Sequence, residues 1–257
     1  MNLNSVVKYA RLNTPAVKVI NKEGWFRHDI ASLLDGTKNI GIELGVARGI
    51  YSKRMVESGK FKKFYGVDIY GDILHDTKEY GAALKYVGFE NPRYCLLRMD
   101  FNSALDLFDD DHFDFIYVDG FAHTGEEGGK TLIDWIKKLK KGGILAGDDY
   151  HDDWPLVKWA VNDLVEKLDA DLYLTTGVED NDYSRYPTWY IVKNHADTIL
   201  ETNPDLYKIS MGEKKRIHNS RVGLKQKIMR IIGRLLSFFG LKGLALKFLN
   251  LLRISND

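Results

Sequence analysis

From about residue 39 to residue 193, short and almost uninterrupted apolar runs alternate with stretches whose apolar side chains recur every three or four positions. A short apolar run reads as a strand buried on both faces, and the longer spacing as a helix that covers it. The runs fall at 40–44, 64–68, 93–98, 113–119, 143–147, 172–176 and 188–192, and the helical patterns at 50–58, 78–87, 130–139 and 156–168. Strand and helix in alternation predict an α/β fold, a doubly wound and mostly parallel sheet of seven strands. Between the last two strands lies a polar segment, 177–187, without helical spacing. Those strands are therefore expected to pair as an antiparallel hairpin at the sheet edge.

The flanks read differently. Residues 1–36 are expected to form a mostly helical cap anchored by Trp25 and Phe26, ahead of a main domain at 37–195. Residues 196–257 read as a linker and tail. In the tail Ile228, Ile231, Ile232, Leu235, Leu236 and Phe239 follow one helical face beside Lys227, Arg230 and Arg234, and a second stripe follows Gly240. Two basic amphipathic C-terminal helices of this kind suit a position in the plane of an anionic membrane surface.

At 257 residues and 44% apolar composition, the chain supports one main core with modest additions. The net charge of +1 conceals a split, because from Lys214 onward eleven Lys or Arg face one acid, Asp257, while the rest holds 26 basic and 35 acidic residues. The tail is thus expected to dock on anionic lipid, or to pack on the acidic body or on a second copy of the chain in a homo-oligomer. Its aliphatic character, without interleaved aromatics, argues against nucleic acid as a partner. The single cysteine, Cys95, leaves no disulfide framework and no thiolate metal cluster. No apolar stretch has the length of a membrane span or the form of a signal peptide, so the expected location is cytoplasmic, peripheral on the inner face of the membrane.

Candidate chemistry concentrates where the predicted strands end. The first runs into Glu43, Leu44, Gly45, Val46, Ala47, Arg48 and Gly49 before a helix. Glycines there let the backbone turn tightly and approach a ligand. The second strand ends at Asp68, followed by Ile69, placing a carboxylate where Rossmann-like sheets bind the ribose of a nucleoside. The third ends at Asp100 and Phe101, an acid and an aromatic suited to an exocyclic amine and a purine face, and the fourth at Asp119. Helix capping would account for one or two such acids. A dinucleotide oxidoreductase is the rival reading, but the Gly-x-x-x-Gly spacing here is not the Gly-x-Gly-x-x-Gly that docks a pyrophosphate.

Through the runs IGIELGVARG (40–49), FYGVDIY (64–70), FIYVDGFAH (115–123) and GGILAGDDYH (142–151), the chain resembles the class I S-adenosylmethionine-dependent methyltransferases, most of all the macrocin-type sugar O-methyltransferases. The resemblance implies S-adenosylmethionine as methyl donor, with Glu43, Gly45, Val46 and Gly49 around its methionine portion, Asp68 and Ile69 at the ribose, and Asp100, Phe101 and Asp119 completing the site. Ala47 departs from the pattern, standing where many members have glycine.

The fifth strand ends at Asp148 and Asp149, beside Asp119 in a doubly wound sheet. Three converging carboxylates repel unless a cation intervenes, and hard oxygen ligands suit Mg²⁺. A metal would lower the pKa of a sugar hydroxyl and aim it at the methyl carbon. His151 is the first choice of base and His123 the second, since the related enzymes share an Asp-Asp-x-His arrangement; the position of the lysine used by catechol-type relatives is Ala122. The same residues also suit an acidic capping turn and exposed loop histidines. Tyr150, Trp154, Tyr183, Tyr186 and Trp189 can line an acceptor cleft or serve as core. The reading is an O-methyltransferase acting on a sugar-containing acceptor, lipid-linked if the tail binds membrane; a membrane-docked scaffold without catalysis is the alternative.

Overall fold

The computed structural model describes residues 3–71, 75–179, 185–194 and 200–220. Tyr183 and the two tail stripes from Ile228 onward lie outside the described residues. Met1–Met211 form one compact unit and Gly212–Asp257 a second, whose described part, 212–220, is helical.

The first unit is built on one eight-stranded sheet. Its strands are β1 (Val19–Lys22), β2 (Asn39–Leu44), β3 (Phe61–Asp68), β4 (Tyr94–Arg98), β5 (Phe113–Val118), β6 (Leu139–Gly147), β7 (Leu172–Thr175) and β8 (Trp189–Val192), in the spatial order β1-β7-β8-β6-β5-β2-β3-β4. The chain order reverses direction between β2 and β5, and β2 pairs in parallel with β3 on one side and β5 on the other. Only β8 runs against its neighbours, β6 and β7. The expected hairpin is present, but it is not the rim: β1 adds to β7 in parallel. The cap is correspondingly less helical than expected. It consists of α1 (Leu3–Asn13), the strand β1 and a 3₁₀ turn, Arg27–Leu33.

Helices cover both faces. They are α2 (Ile50–Glu57), α3 (Thr77–Val87), α4 (Phe101–Leu105), a left-handed turn at Gly125–Gly128, α5 (Lys130–Ile136) and α6 (Pro155–Leu168). Alternation along β5 shows how the sheet divides the core. Phe115 and Tyr117 pack with Ile30, Tyr51 and Met55 on one face, whereas Ile116 and Val118 pack with Leu132, Trp135 and Val157 on the other. Both faces being buried explains why the strands read as continuous apolar runs.

Candidate active site

The carboxyl edge of the sheet is shaped first by the turn after β2. Gly45 adopts φ +94° and donates to Val67 O at 2.9 Å; a Cβ there would lie 1.9 Å from the Asp119 carbonyl oxygen. Only glycine allows the ends of β2 and β5 to close so tightly. Ala47 keeps the left-handed conformation a glycine would favour, with φ +47°, and Gly49 enters α2 at φ +79°. Asp68, at the end of β3, braces this turn: Oδ2 accepts the N–H groups of Val46 and Ala47, each at 3.0 Å, and Oδ1 accepts that of Tyr70 at 3.0 Å. Three bonds leave an ionised carboxylate capacity for one further donor. Beside it Ile69 is 56% exposed, an apolar surface at the mouth of the turn.

Two other acids expected at the donor also bond within the protein. Glu43 is 1% exposed and accepts the Ser52 hydroxyl, which in turn accepts Tyr94 OH at 3.0 Å. Burial raises its pKa well above the usual carboxylate value, and the Ser52 bond ties it to α2. Asp100 caps α4, accepting Ser103 N at 2.9 Å and Ser103 Oγ at 2.7 Å, bonds that lower its pKa. Phe101 is buried edge-on against Phe121, with ring centroids 5.0 Å apart, and its ring fills the space a side chain at Gly120 would need.

The predicted convergence of carboxylates is real, and the cation between them is a side chain. Arg27, on the 3₁₀ turn, places Nη1 2.9 Å from Asp148 Oδ2, 3.4 Å from Asp119 Oδ2 and 3.5 Å from Tyr117 OH. Asp148 Oδ1 accepts Thr188 Oγ1 at 3.2 Å. Burial raises the pKa of both Asp119 and Asp148, and the guanidinium opposes it. These residues do not fit a divalent metal as arranged, because Arg27 already stands as the cation between Asp148 and Asp119. Among the described residues, no three His, Cys, Asp or Glu side chains group to hold a metal ion.

Asp149 stands next to this pair at φ +63°, its pKa pushed up to about 8 by burial and then by Asp119 and Asp148. Glu126 joins it from the loop after β5. The sequence around His123 reads as a helix entry, but Gly125, Glu126, Glu127 and Gly128 all have positive φ, a single left-handed turn. Glu126 is 4% exposed, and burial followed by the charges of Asp119 and Asp149 lifts its pKa to about 8. Neither Arg27 nor Glu126 was singled out from the sequence. The glycines flanking Glu126 and Glu127 were the available signal.

The two histidines lie in aromatic surroundings. His123 meets Trp154 edge-on at 4.8 Å, and Trp154 meets Tyr186 at 6.3 Å. His151 lies 4.8 Å from Tyr186, and its Nδ1 accepts the Asp153 N–H at 3.2 Å. The same Nδ1 lies 3.4 Å from Asp153 Oδ2. Trp154 and Tyr186 therefore flank the acidic turn, whereas Trp189 is core and Tyr150 is buried with its hydroxyl on Asn162 at 2.7 Å.

A glycine turn and a strand-end acid at the carboxyl edge of an open α/β sheet are the arrangement with which such sheets hold nucleosides. Residues 40–150 match the family described as "Methyltransferase domain". That stretch holds the turn, Asp68 and the Asp119–Asp149 cluster. No curated protein matches the chain. Among solved structures it is similar in fold to spermidine synthase from Thermotoga maritima, at 18% identity and TM-score 0.50, over 70% of this chain and 63% of that one. The chain thus spans less than two thirds of that synthase. It is also similar to a candidate O-methyltransferase from Klebsiella pneumoniae (16% identity, TM-score 0.48, 75% and 90% covered). A cofactor-bound protein from MTB, Rv0187, is similar to the same degree (14% identity, TM-score 0.48, 75% and 88% covered).

Proposed function

We propose that the chain transfers a methyl group from S-adenosylmethionine to a hydroxyl oxygen of a sugar-containing acceptor. The observation that carries the donor half is the Gly45 turn closed on Asp119, with Asp68 braced beneath it and Ile69 exposed beside it, inside a matched methyltransferase domain. In this reading Asp68 accepts a ribose hydroxyl with its remaining lone pair and Ile69 meets the base. The donor supplies an electrophilic methyl on a positively charged sulfur. Asp119, with its carboxyl toward Arg27, provides negative charge next to it.

The acceptor half rests on Trp154 and Tyr186, whose rings lie 6.3 Å apart, with Tyr186 OH donating to Asp153 Oδ2 at 2.9 Å, because sugar faces bind aromatic faces while their hydroxyls bond to carboxylates. His151 and His123 belong to that wall. No step runs through a metal, since Arg27 already stands as the cation between Asp148 and Asp119. The excess of eleven basic residues over one acid from Lys214 onward supports an acceptor presented at an anionic membrane surface. Labelled donor assayed with free and lipid-linked saccharides, with and without anionic vesicles, tests both parts. Transfer to a sugar hydroxyl, faster for the lipid-linked form on vesicles, is expected. Equal rates would remove the membrane, and absence of transfer to every saccharide would remove the sugar.

A further inference from the structure

We propose that Arg54 and His28 are positioning residues for Arg27: together they clamp the 3₁₀ turn onto α2, and the clamp holds only while the His28 ring is neutral. Arg27 is the cation between Asp119 and Asp148, yet it reaches them from a turn of seven residues outside the sheet. A group so placed keeps its geometry only where neighbouring side chains fix its backbone and its rotamer.

The clamp starts on α2, the helix that opens at Gly49 of the donor turn. Tyr51, Arg54 and Met55 share one side of it. The Arg27 guanidinium lies 5.4 Å from the Tyr51 ring centroid, and Tyr51 and Met55 pack with Ile30, Ala31 and Leu34. Arg54 adds a directional contact, with Nη1 donating to His28 Nδ1 at 3.1 Å. A guanidinium can only donate, so Nδ1 carries a lone pair and the proton of the neutral ring sits on Nε2. Nε2 lies 3.9 Å from Asp29 Oδ1, and the Phe26 ring stacks on the imidazole at 5.7 Å.

A third segment fixes Arg54 itself. Glu179, after β7, accepts Nη1 at 2.6 Å and Nη2 at 3.0 Å, the two-point geometry in which a guanidinium binds a carboxylate most firmly. The chain before Glu179 is laced to the chain before Arg27: Thr176 N donates to Lys22 O at 3.3 Å and Gly177 N to Trp25 O at 2.8 Å. A Cβ on Gly177 would lie 2.7 Å from the same Trp25 oxygen, so the two segments run in direct contact. Arg54 thus joins α2, the 3₁₀ turn and the segment after β7 beside the residue that holds the two strand-end acids.

Protonating His28 undoes the central contact, because an N–H replaces the lone pair and two cations then face each other at hydrogen-bond distance. The charged groups around the ring are Arg54 and Glu57 of α2, Lys60 beyond it, Glu179 beyond β7, and Arg27 and Asp29 of its own turn. Burial first and Arg54 second hold the His28 pKa below the usual histidine value, with Asp29 and Glu179 opposing. The imidazolium has Asp29 beside it. As pH falls through that lowered value, the ring exchanges Arg54 for Asp29 and the turn that carries Arg27 loosens from α2.

The test is NMR of the full chain, labelled with ¹⁵N and followed across pH without any ligand, so its outcome does not depend on the donor reading. At neutral pH His28 should carry its proton on Nε2; Arg54→Gln should raise its pKa and Glu179→Gln lower it. Positioning is read from the Arg27 Nε–H, a buried group that should exchange slowly with water. Its exchange should quicken about tenfold or more as His28 takes up a proton, and as much at neutral pH in Arg54→Gln, the effect of losing one charge-assisted hydrogen bond. His28→Asn keeps an acceptor oxygen where Nδ1 stands and cannot be protonated, so its Arg27 signal should stay slow across the same range. A proton on Nδ1 at neutral pH would overturn the proposal. So would Arg27 exchange that ignores both His28 protonation and Arg54→Gln, or that quickens in His28→Asn at the same pH as in wild type.

Discussion

Arg27 shows how a single residue can decide the chemistry of a sheet edge. It is the counter-ion to two carboxylates that lie 92 and 121 residues away in the chain. Its guanidinium also stacks over the Tyr51 ring, 5.4 Å from the centroid. Removing one partner of a buried ion pair leaves an uncompensated charge and costs about 3 kcal/mol. Arg27→Met should therefore lower stability by roughly that amount near neutral pH. Without the guanidinium the folded Asp119 and Asp148 bind protons more tightly than the unfolded chain does. The variant should consequently regain stability as pH falls through their raised pKa values, and denaturant unfolding at several pH values measures this. A deficit that does not shrink on acidification would mean that Arg27 acts through packing alone. Nothing local to Arg27 signalled its role, because a long-range ion pair leaves no trace in sequence spacing. Asp68, Asp119, Asp148 and Asp149 were legible for the opposite reason: each follows a strong apolar run, which fixes its place at the edge.

At the scale of elements, strands buried on both faces were the easiest to read. Those at 40–44 and 113–119 appear as Asn39–Leu44 and Phe113–Val118. β1 was missed because its four residues, Val19–Lys22, alternate exposed and half-buried at the rim, too short for any period to register. The left-handed turn at Gly125–Gly128 has the composition of a helix entry, and backbone sign is invisible to apolar spacing. The turn after β2 is the element whose geometry is most exacting. In Gly45→Ala, a Cβ 1.9 Å from the Asp119 carbonyl at φ +94° forces β2 and β5 apart. The expected cost is about 2 kcal/mol or more, together with loss of nucleoside binding. Thermal unfolding and a binding titration on the same sample would separate the two effects. Retained affinity would show that the turn does not touch the ligand.

For the whole sheet, the chain order reverses between β2 and β5, and it is at the carboxyl edge of such a reversal that open α/β sheets bind ligands. That topology brings the glycine turn, the Arg27-linked carboxylates and Glu126 into one region. The identity of the ligand follows from their chemistry more than from the fold, which many functions share. The basic segment from Lys214 onward adds a charge pattern that the sheet does not require. The central claim is that the Gly45–Asp68 turn holds S-adenosylmethionine. Titrating S-adenosylmethionine into the full chain in a calorimeter tests it most directly: the account predicts saturable binding of one equivalent that is lost in Gly45→Ala, and no binding by a correctly folded wild-type chain would contradict it.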